Sequence, residues 1–202
     1  MITIIDYGMG NLGSVQNMFK RIGVRSVISA DLSEIERADK LLLPGVGAFD
    51  NAMKRINESG LRDVLDQKVK VDQTPVLGIC LGMQLLTNGS EEGTEKGLGW
   101  INAQAKKFVP INKDMKVPHM GWNLVHESSS NELTKDLPEE PRFYFVHSYY
   151  VEVADQKDSI LKTNYGVEFD SAISHENIYG AQFHPEKSHK FGMKLFENFA
   201  KI

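Results

Sequence analysis

Residues 78–84 read Gly-Ile-Cys-Leu-Gly-Met-Gln and directly follow an apolar pair. The apolar residues before position 80 predict a buried strand, and residues 81–86 predict a helix, so Cys80 lies at the turn between them. Gly78 and Gly82 flank this turn, and a sharp turn with closely approaching backbone requires glycine. The pattern predicts a nucleophile elbow, which presents one reactive side chain at the carboxyl end of a strand.

Cys80 is the only cysteine in the 202 residues. A lone cysteine is more often a buried structural side chain than a nucleophile, but the flanking glycines favour the nucleophile. At the start of a helix the sulfur would also meet partial positive charge, which favours the thiolate over the thiol. One cysteine cannot form an internal disulfide, and a free thiol is typical of a cytoplasmic protein.

The first hundred residues alternate between strand and helix patterns. Apolar, β-branched runs predict strands at residues 2–5, 25–28, 41–43 and 75–79, with Pro44 and Gly45 ending the third. Apolar residues at helical spacing predict helices at residues 11–22, 48–56, 61–69 and 81–86. Continuous apolar strands separated by amphipathic helices are typical of a mostly parallel sheet with helices on both faces. We therefore predict an α/β fold whose active site lies at the carboxyl ends of the strands.

The C-terminal half has a different pattern. Short runs predict strands at residues 105–109, 143–146, 150–153 and 181–183, with little helix between them. We interpret these runs as an antiparallel sheet region added to the parallel sheet. Residues 190–199 predict a closing helix, and no loop is long enough to link independent domains, so residues 1–202 are predicted to form a single domain.

Charge and hydropathy argue against several classes of protein. The net charge of −4 argues against nucleic acid as the main partner, because phosphate binding needs a basic face. No apolar run approaches the roughly 18 residues that span a bilayer, and the N-terminus lacks the basic segment of a signal peptide. We expect a cytoplasmic protein with no nucleic-acid partner and no membrane association.

A candidate base lies far downstream of the cysteine, where His184 is followed by Pro185 and Glu186. A catalytic cysteine needs a base that takes its proton and later returns it to the leaving group, and a third group must orient that base. In an extended segment, residues two apart share a face, so Glu186 can orient His184. The simpler interpretation is a hydrogen-bonded surface histidine. The other five histidines lack an acid at this spacing, which favours the catalytic interpretation.

The third predicted strand leads into residues 44–47, Pro-Gly-Val-Gly. Glycine lets backbone N–H groups approach a ligand closely. This loop could therefore supply one donor to an oxyanion, with the N–H of Leu81 supplying the other. A tight turn between a strand and a helix explains the same residues equally well.

Residues 8–13, Gly-Met-Gly-Asn-Leu-Gly, match the dinucleotide-binding fingerprint, and Asp31 lies where a ribose-binding acid is expected. Two residues, Asp6 and Tyr7, separate the predicted strand from the first glycine, which weakens the match. We therefore rank an NAD-binding oxidoreductase last and expect these glycines to permit close helix–sheet packing. A metal site is disfavoured because the histidines are dispersed and the cysteine is far from them in sequence.

Residues 44–47, 78–84 and 183–186, in this order, resemble the motifs of the class I (triad) glutamine amidotransferases. Residues 6–12, 116–123 and 143–149 make the chain similar to the glutaminase subunits of imidazole glycerol phosphate synthases. The resemblance extends over essentially the whole chain. It implies a single class I glutamine amidotransferase domain over residues 1–202.

This resemblance implies a role for each candidate residue. Cys80 would attack the side-chain amide carbon of L-glutamine, His184 would act as base and then acid, and Glu186 would orient the imidazole. The positions implied to bind the oxyanion or the substrate are Val46, Gly47, Leu81, Gln84, Tyr144, Ser148 and Tyr149. The resemblance implies no cofactor and no metal.

The resemblance also implies a partner, a (β/α)8-barrel cyclase subunit that forms a heterodimer with the glutaminase and uses its ammonia in histidine biosynthesis. Asn11, Met120 and Trp122 match the face that is turned toward this partner. Ammonia released into water would be protonated and lost, so its acceptor must be docked beside the glutaminase site. Methionine and tryptophan suit an interface, although a tryptophan buried in the core is the plainer alternative.

Two alternative functions would use the same Cys-His-Glu site. Residues 186–192 carry lysine where arginine is more expected in a histidine-pathway enzyme, which would suit a paralogous glutaminase that supplies ammonia to a surface-sugar amidotransferase. A stand-alone peptidase or thioesterase would also use a Cys-His-Glu site.

Overall fold

The computed structural model describes residues 1–202, and its centre is a ten-stranded sheet. Four strands and five helices alternate in the N-terminal half: β1 (Ile2–Ile5), α1 (Leu12–Arg21), β2 (Ser26–Ser29), α2 (Leu32–Glu36), β3 (Lys40–Gly45), α3 (Phe49–Glu58), α4 (Leu61–Asp66), β4 (Val76–Cys80) and α5 (Leu81–Leu85). The C-terminal half consists mainly of strands: β5 (Ala103–Lys107), β6 (His119–Leu124), β7 (His126–Glu127), β8 (Arg142–His147), β9 (Tyr149–Val153), β10 (Ser159–Tyr165), β11 (Val167–His175), β12 (Ile178–Ala181) and then α6 (His189–Lys201). The predicted α/β class is confirmed.

Five strands lie parallel in the order β2-β1-β3-β4-β12. Gly45 at the end of β3 is in register with Cys80 at the end of β4, and Ala181 at the end of β12 is in register with Ile79. Because the carboxyl ends of parallel strands share one edge of the sheet, the segments that follow β3, β4 and β12 converge there.

The rest of the sheet is antiparallel. β11 pairs with β12, the sheet continues through β10 to β7, and β9 attaches β5 to β11. β6 and β8 form a separate two-stranded antiparallel sheet. The antiparallel region predicted for the C-terminal half is therefore confirmed, but β12, which we had assigned to it, also completes the parallel part.

The core lies on both faces of the central sheet. Leu43 belongs to a buried cluster that includes Met53 of α3, whereas its neighbour Leu42 belongs to a second cluster with Phe19 of α1 and Phe196 of α6. Successive residues of a strand face opposite sides, so these clusters mark the two helical layers. All five side chains are fully buried, and burial stabilises the fold by roughly 1.5–3 kcal/mol for each aliphatic or aromatic side chain.

The predicted end of the third strand was wrong. β3 continues through Pro44 and Gly45, which pair with Ile79 and Cys80 of β4. Proline is tolerated because Pro44 lies beyond the last pair between β1 and β3, so its missing N–H removes no ladder bond.

Several elements were missed by the sequence analysis. α2 is only five residues long, too short to show a helical period. β6, β7, β10 and β11 contain many polar residues or glycine, which weakens the strand pattern. The helix predicted at residues 61–69 is α4 followed by a π-helical turn, Gln67–Val71.

The longest helix, α6, has 13 residues. None of the helices combines the length and the apolar character that crossing a membrane would require.

Candidate active site

The turn between β4 and α5 holds Cys80 in a strained conformation, with φ of 55° and ψ of −111°. The two flanking glycines are required by close packing. A Cβ atom on Gly78 would lie 2.6 Å from the carbonyl oxygen of Gly82, and a Cβ atom on Gly82 would lie 1.9 Å from the carbonyl oxygen of Leu43. Backbone strain of this kind is concentrated at functional sites, where the surrounding packing maintains it.

Cys80 opens onto a cavity of about 360 Å³ at the carboxyl ends of β3 and β4. Eight of the residues predicted for the site line it: Val46, Gly47, Cys80, Leu81, Gln84, Ser148, Tyr149 and His184. The remaining lining residues are Glu92, Pro118, Val146 and His147, which the sequence analysis did not identify. The cavity is large enough for a small molecule such as an amino acid.

His184 and Glu186 form a buried pair behind the cavity. The imidazole Nδ1 lies 2.8 Å from the Oε1 atom of Glu186, and the two side chains are 5% and 2% exposed. We had expected an extended segment to bring them together, but residues Pro185–Lys187 form a 3₁₀ turn that begins at His184. An Nδ1–H donor to the carboxylate leaves Nε2 on the opposite side of the ring, and Nε2 is buried without a hydrogen-bond partner.

Burial by itself lowers the pKa of His184, but interactions with Cys80 and Glu186 outweigh this and raise the pKa above its usual value of 6.5. The charged imidazole of His184 is therefore favoured beside Cys80 and Glu186. The arrangement can move a proton between the sulfur and the imidazole, as nucleophilic catalysis by cysteine requires.

The loop after β3 lines the same cavity through Val46 and Gly47. Gly47 has φ of 104°, a conformation that favours glycine, and a Cβ atom there would lie 2.9 Å from the Cε atom of Met9. The hydroxyl of the buried Tyr7 donates to the carbonyl oxygen of Pro44 at 2.7 Å, which holds the loop at its base. Burial, followed by the charge of Cys80, raises the pKa of Tyr7, so this hydroxyl remains a donor.

A family model described as glutamine amidotransferase class-I matches residues 3–202. The chain belongs to this family.

A relative from Methanococcus maripaludis, named imidazole glycerol phosphate synthase subunit HisH 2, is 59% identical over 201 residues, covering 100% of this chain and 99% of that protein. A protein of the same name from Pseudomonas aeruginosa is 50% identical over 202 residues, covering 100% of both chains. The structure of PurLQS from Thermotoga maritima has a TM-score of 0.73 at 14% identity, covering 99% of this chain and 97% of that one, which shows a shared fold. This amidotransferase is a glutaminase, an enzyme that acts on a carboxamide.

The structure places Tyr144 outside the cavity of the amidotransferase, contrary to our expectation. Its ring lies edge-on to Trp122 at 6.3 Å and under the ammonium of Lys187. Its backbone nevertheless supports the site, because its carbonyl oxygen accepts from the N–H of His184 at 2.9 Å. The hydroxyl of Ser188 ties the same turn by donating to the carbonyl oxygen of His184 at 2.6 Å.

A row of exposed apolar side chains follows β6 outside the cavity of the amidotransferase. Met120 is 62% exposed, Trp122 is 45% exposed and Leu124 is 51% exposed. Trp122 is therefore not a core residue. Its ring stacks on His189, with centroids 5.5 Å apart. Because alternate residues of a strand share a face, these three side chains form one surface, which we call the β6 apolar row. Asn11 also lies on the protein surface.

Two buried histidines connect β6 to the cavity. His147 Nδ1 lies 2.7 Å from the carbonyl oxygen of Tyr149, and His147 Nε2 lies 2.9 Å from Nδ1 of His119. A carbonyl can only accept, so His147 carries its proton on Nδ1 and accepts from His119 through Nε2. Asn123 then donates to His119 Nε2 at 3.2 Å. Every ring nitrogen of the pair is satisfied only when both imidazoles are neutral.

We predict that the free energy of unfolding decreases as the pH is lowered from 7 to 5. Burial lowers the pKa of His119 to about 4 and that of His147 to about 3. Between these values and 6.5 the unfolded chain binds more protons than the folded chain, so the loss should reach about 3 kcal/mol at pH 5. The raised pKa of His184 has the opposite effect on the free energy of unfolding, which it changes mainly above pH 6.5. Below pH 6.5 this histidine is charged in both the folded and the unfolded chain.

Urea unfolding at several pH values measures this effect. A His147→Gln variant should show a weaker pH dependence than the parent, whereas His126→Gln, at an exposed histidine of β7, should not. A free energy of unfolding that stays constant from pH 7 to pH 5 would contradict the neutral pair.

The close packing that we predicted for the glycines of residues 8–13 is found at Gly10 but not at Gly13. Gly8 and Gly10 have φ of 81° and 115°, which serves the turn between β1 and α1, and a Cβ atom on Gly10 would lie 3.2 Å from the Cβ atom of Pro44 in β3. A Cβ atom on Gly13 would meet nothing within 4 Å. Gly13 therefore permits no close packing.

Asp31, the candidate ribose-binding acid, caps α2 instead. Its carboxylate accepts from the N–H groups of Ser33 and Glu34 and is therefore already engaged. No group of three or more potential ligand side chains could hold a metal ion.

Proposed function

We propose that this amidotransferase is the glutaminase subunit of an imidazole glycerol phosphate synthase in histidine biosynthesis, formed by one domain over residues 1–202 and located in the cytoplasm. It would hydrolyse L-glutamine to L-glutamate and ammonia through Cys80, His184 and Glu186. The observation that carries the proposal is the 360 Å³ cavity, which joins Cys80, His184 and the loop at Gly47. The 59% identity to a named subunit HisH over the whole chain supports the pathway.

In the proposed reaction, the Cys80 thiolate attacks the side-chain amide carbon of glutamine, and the carbonyl oxygen becomes an oxyanion. Backbone N–H groups of the Val46–Gly47 loop and of Leu81 are the proposed donors to this oxyanion. The charged His184 gives its proton to the amide nitrogen, ammonia leaves, and a thioester remains on Cys80. His184 then takes a proton from water, whose oxygen attacks the thioester and releases glutamate.

The lining of the cavity suits a free amino acid. Glu92 supplies a carboxylate that can pair with the α-ammonium group of glutamine. Gln84 Nε2 donates both to the carbonyl oxygen of Tyr149 and to the side chain of Gln182, so only its Oε1 atom is free to contact a substrate. Ser148 and Tyr149 lie on the same wall.

The proposed partner is a (β/α)8-barrel cyclase subunit, docked as a heterodimer on the β6 apolar row and on Asn11. An exposed row that contains methionine and tryptophan is typical of an interface centre. The row starts at Met120, two residues after Pro118 of the cavity wall. Ammonia released at Cys80 would therefore be close to an acceptor bound at this face.

The proposal is tested by measuring glutamine hydrolysis by the purified chain alone and together with the cyclase subunit and its ligand. We expect slow hydrolysis alone and at least tenfold faster hydrolysis in the complex. Equal rates with and without the cyclase would contradict the proposed partner, while leaving the glutaminase itself intact.

Trp122→Ala should weaken binding of the cyclase about 30-fold, because truncating an aromatic interface anchor typically costs at least about 2 kcal/mol. The melting temperature should change little, since Trp122 is 45% exposed. Val167→Ala, at another exposed apolar residue, is the matched control and should bind normally. If both variants bind as the parent does, the β6 apolar row is not the interface.

The alternative partner is a surface-sugar amidotransferase, which the lysine content of residues 186–192 favours. Complementation separates the two pathways. Growth of a histidine auxotroph that lacks its own glutaminase subunit supports the histidine pathway. Failure of the soluble, active chain to restore growth supports the surface-sugar pathway.

A further inference from the structure

Two buried glutamines link a main-chain carbonyl to the sulfur of Cys80. Gln84 Nε2 lies 3.2 Å from the carbonyl oxygen of Tyr149 and 3.1 Å from Oε1 of Gln182. Gln182 Nε2 lies 3.8 Å from the Sγ atom of Cys80. Gln84 is 4% exposed and Gln182 is fully buried, so water does not compete for these contacts.

The direction of this chain of hydrogen bonds is determined by its first member. The carbonyl of Tyr149 can only accept, so the nitrogen of Gln84 must face it. That nitrogen also faces Gln182, which must therefore present its oxygen to Gln84 and its nitrogen to the sulfur. A reversed Gln182 would place two amide nitrogens together and an amide oxygen against the sulfur.

We propose that Gln182 is a further catalytic residue, which donates an N–H to the Cys80 sulfur and favours its thiolate, and that Gln84 is the positioning residue that orients it. This inference rests on the proposed role of Cys80 as the nucleophile. A hydrogen bond to a charged atom is stronger than one to a neutral atom, so the contact favours the anion. No bond breaks in it, and the thiol proton moves to His184.

A role in binding the Cys80 sulfur explains why the polar side chain of Gln182 is buried. It lies between Ala181 and Phe183, both fully buried, where an apolar side chain would avoid the cost of desolvating an amide. Its side chain instead makes its two hydrogen bonds to Gln84 and to the sulfur. The other groups around Cys80 are the imidazole of His184, the hydroxyl of Tyr7 and the carbonyl of Val146. The Tyr7 hydroxyl donates to the carbonyl oxygen of Pro44, so Gln182 is the uncharged group whose N–H faces the sulfur.

The test uses the fact that Cys80 is the only cysteine. Alkylation of the intact protein by iodoacetamide reports the thiolate fraction of this one residue, and mass spectrometry measures its rate from pH 4 to pH 10. Gln182→Met removes the donor with little change of volume. Gln182→Leu removes the donor together with the acceptor toward Gln84 and introduces no titratable group.

In both variants we expect the pH of half-maximal alkylation to move upward by about one unit, which makes alkylation about tenfold slower on the acid side. The rate of glutamine hydrolysis below neutral pH should decrease by a similar factor and recover at higher pH. Ser171→Ala is the matched control. Its backbone accepts from the N–H of Gln182 at 2.9 Å, but its buried hydroxyl has no partner, so its alkylation profile should match that of the parent.

An unchanged profile in either folded variant would overturn the inference. If neither variant folds, Gln182 has a structural role only, and the inference is equally overturned. The result is separable from the proposed function, because alkylation does not require glutamine. If Cys80→Ser kept full glutaminase activity, the proposed nucleophile would be wrong even if Gln182 shifted the alkylation profile.

Discussion

Replacing Cys80 by alanine is expected to lower the kcat of glutamine hydrolysis by about 10⁴-fold or more, because removing the proposed covalent nucleophile would disable the proposed triad as a unit. The melting temperature should remain close to that of the parent. Cys80 is 7% exposed and loses only one sulfur atom, and alanine can be held in the same backbone conformation. Ammonia release measured on the purified complex tests the prediction. If the Cys80→Ala variant hydrolysed glutamine at the parental rate, Cys80 would not be the nucleophile.

A second substitution at this position separates catalysis from backbone strain. Cys80→Gly should be as inactive as the alanine variant but more stable by about 1 kcal/mol, because glycine adopts a φ of 55° without the cost paid by other residues. Comparison of the two inactive variants by thermal unfolding measures this difference. A glycine variant no more stable than the alanine variant would mean that the elbow is not strained.

Covalent labelling shows which class of electrophile reacts with Cys80. Diazo-oxonorleucine, a glutamine-like electrophile, should modify Cys80 once per chain, whereas peptide electrophiles should not. Labelling by the peptide reagents at comparable rates would favour the peptidase or thioesterase alternative.

Gly82→Ala is expected to give the largest loss of stability in the elbow. Its Cβ atom would lie 1.9 Å from the carbonyl oxygen of Leu43 in the neighbouring strand. Backbone atoms on both sides must shift, so the free energy of unfolding should decrease by more than about 3 kcal/mol. For a chain of this size that corresponds to a decrease of at least about 6 °C in melting temperature. Activity should be lost with it, because Cys80 is two residues away.

Gly13→Ala is the matched control for this prediction. Gly13 lies in α1, and a Cβ atom there would meet nothing within 4 Å. Alanine favours helix by about 0.5–1 kcal/mol over glycine, so this variant should be as stable as the parent or slightly more stable. A melting temperature of Gly82→Ala within about 2 °C of the parent would show that the elbow tolerates a Cβ atom.

The parallel half of the fold could be predicted because its strands and helices have strong, separate periods. α1, α3 and α6 carry apolar residues at helical spacing, β1 is β-branched throughout, and β4 is apolar apart from Gly78. The position of β12 could not be predicted, since strand order depends on packing across the whole sheet. β3 was ended too early because Pro44 is a strand breaker only where its missing N–H would have been used.

The strand–turn–helix at Cys80 could be predicted because a sharp turn demands glycine at close spacing on both sides. The side of β8 that Tyr144 faces could also have been predicted from the alternation of side chains along a strand. Phe143 and Phe145 are fully buried, so the residue between them faces the opposite side of β8, which the sequence already indicated. Gln182 had a weaker signal, a polar residue inside an apolar run. Its contact with Cys80 depends on β12 lying beside β4.

The order in which the strands are synthesised has a consequence for the growing chain. β12 is the last strand to leave the ribosome, yet it occupies the middle of the sheet, between β4 and β11. Until β12 has been synthesised and has paired with β4, the edge of β4 is unpaired, and an unpaired edge can form a sheet with another chain. The segment that follows β12 carries His184, so a chain that ends before it holds the proposed nucleophile without its proposed base. The candidate active site can therefore assemble only after β12 and the segment that carries His184 have been synthesised.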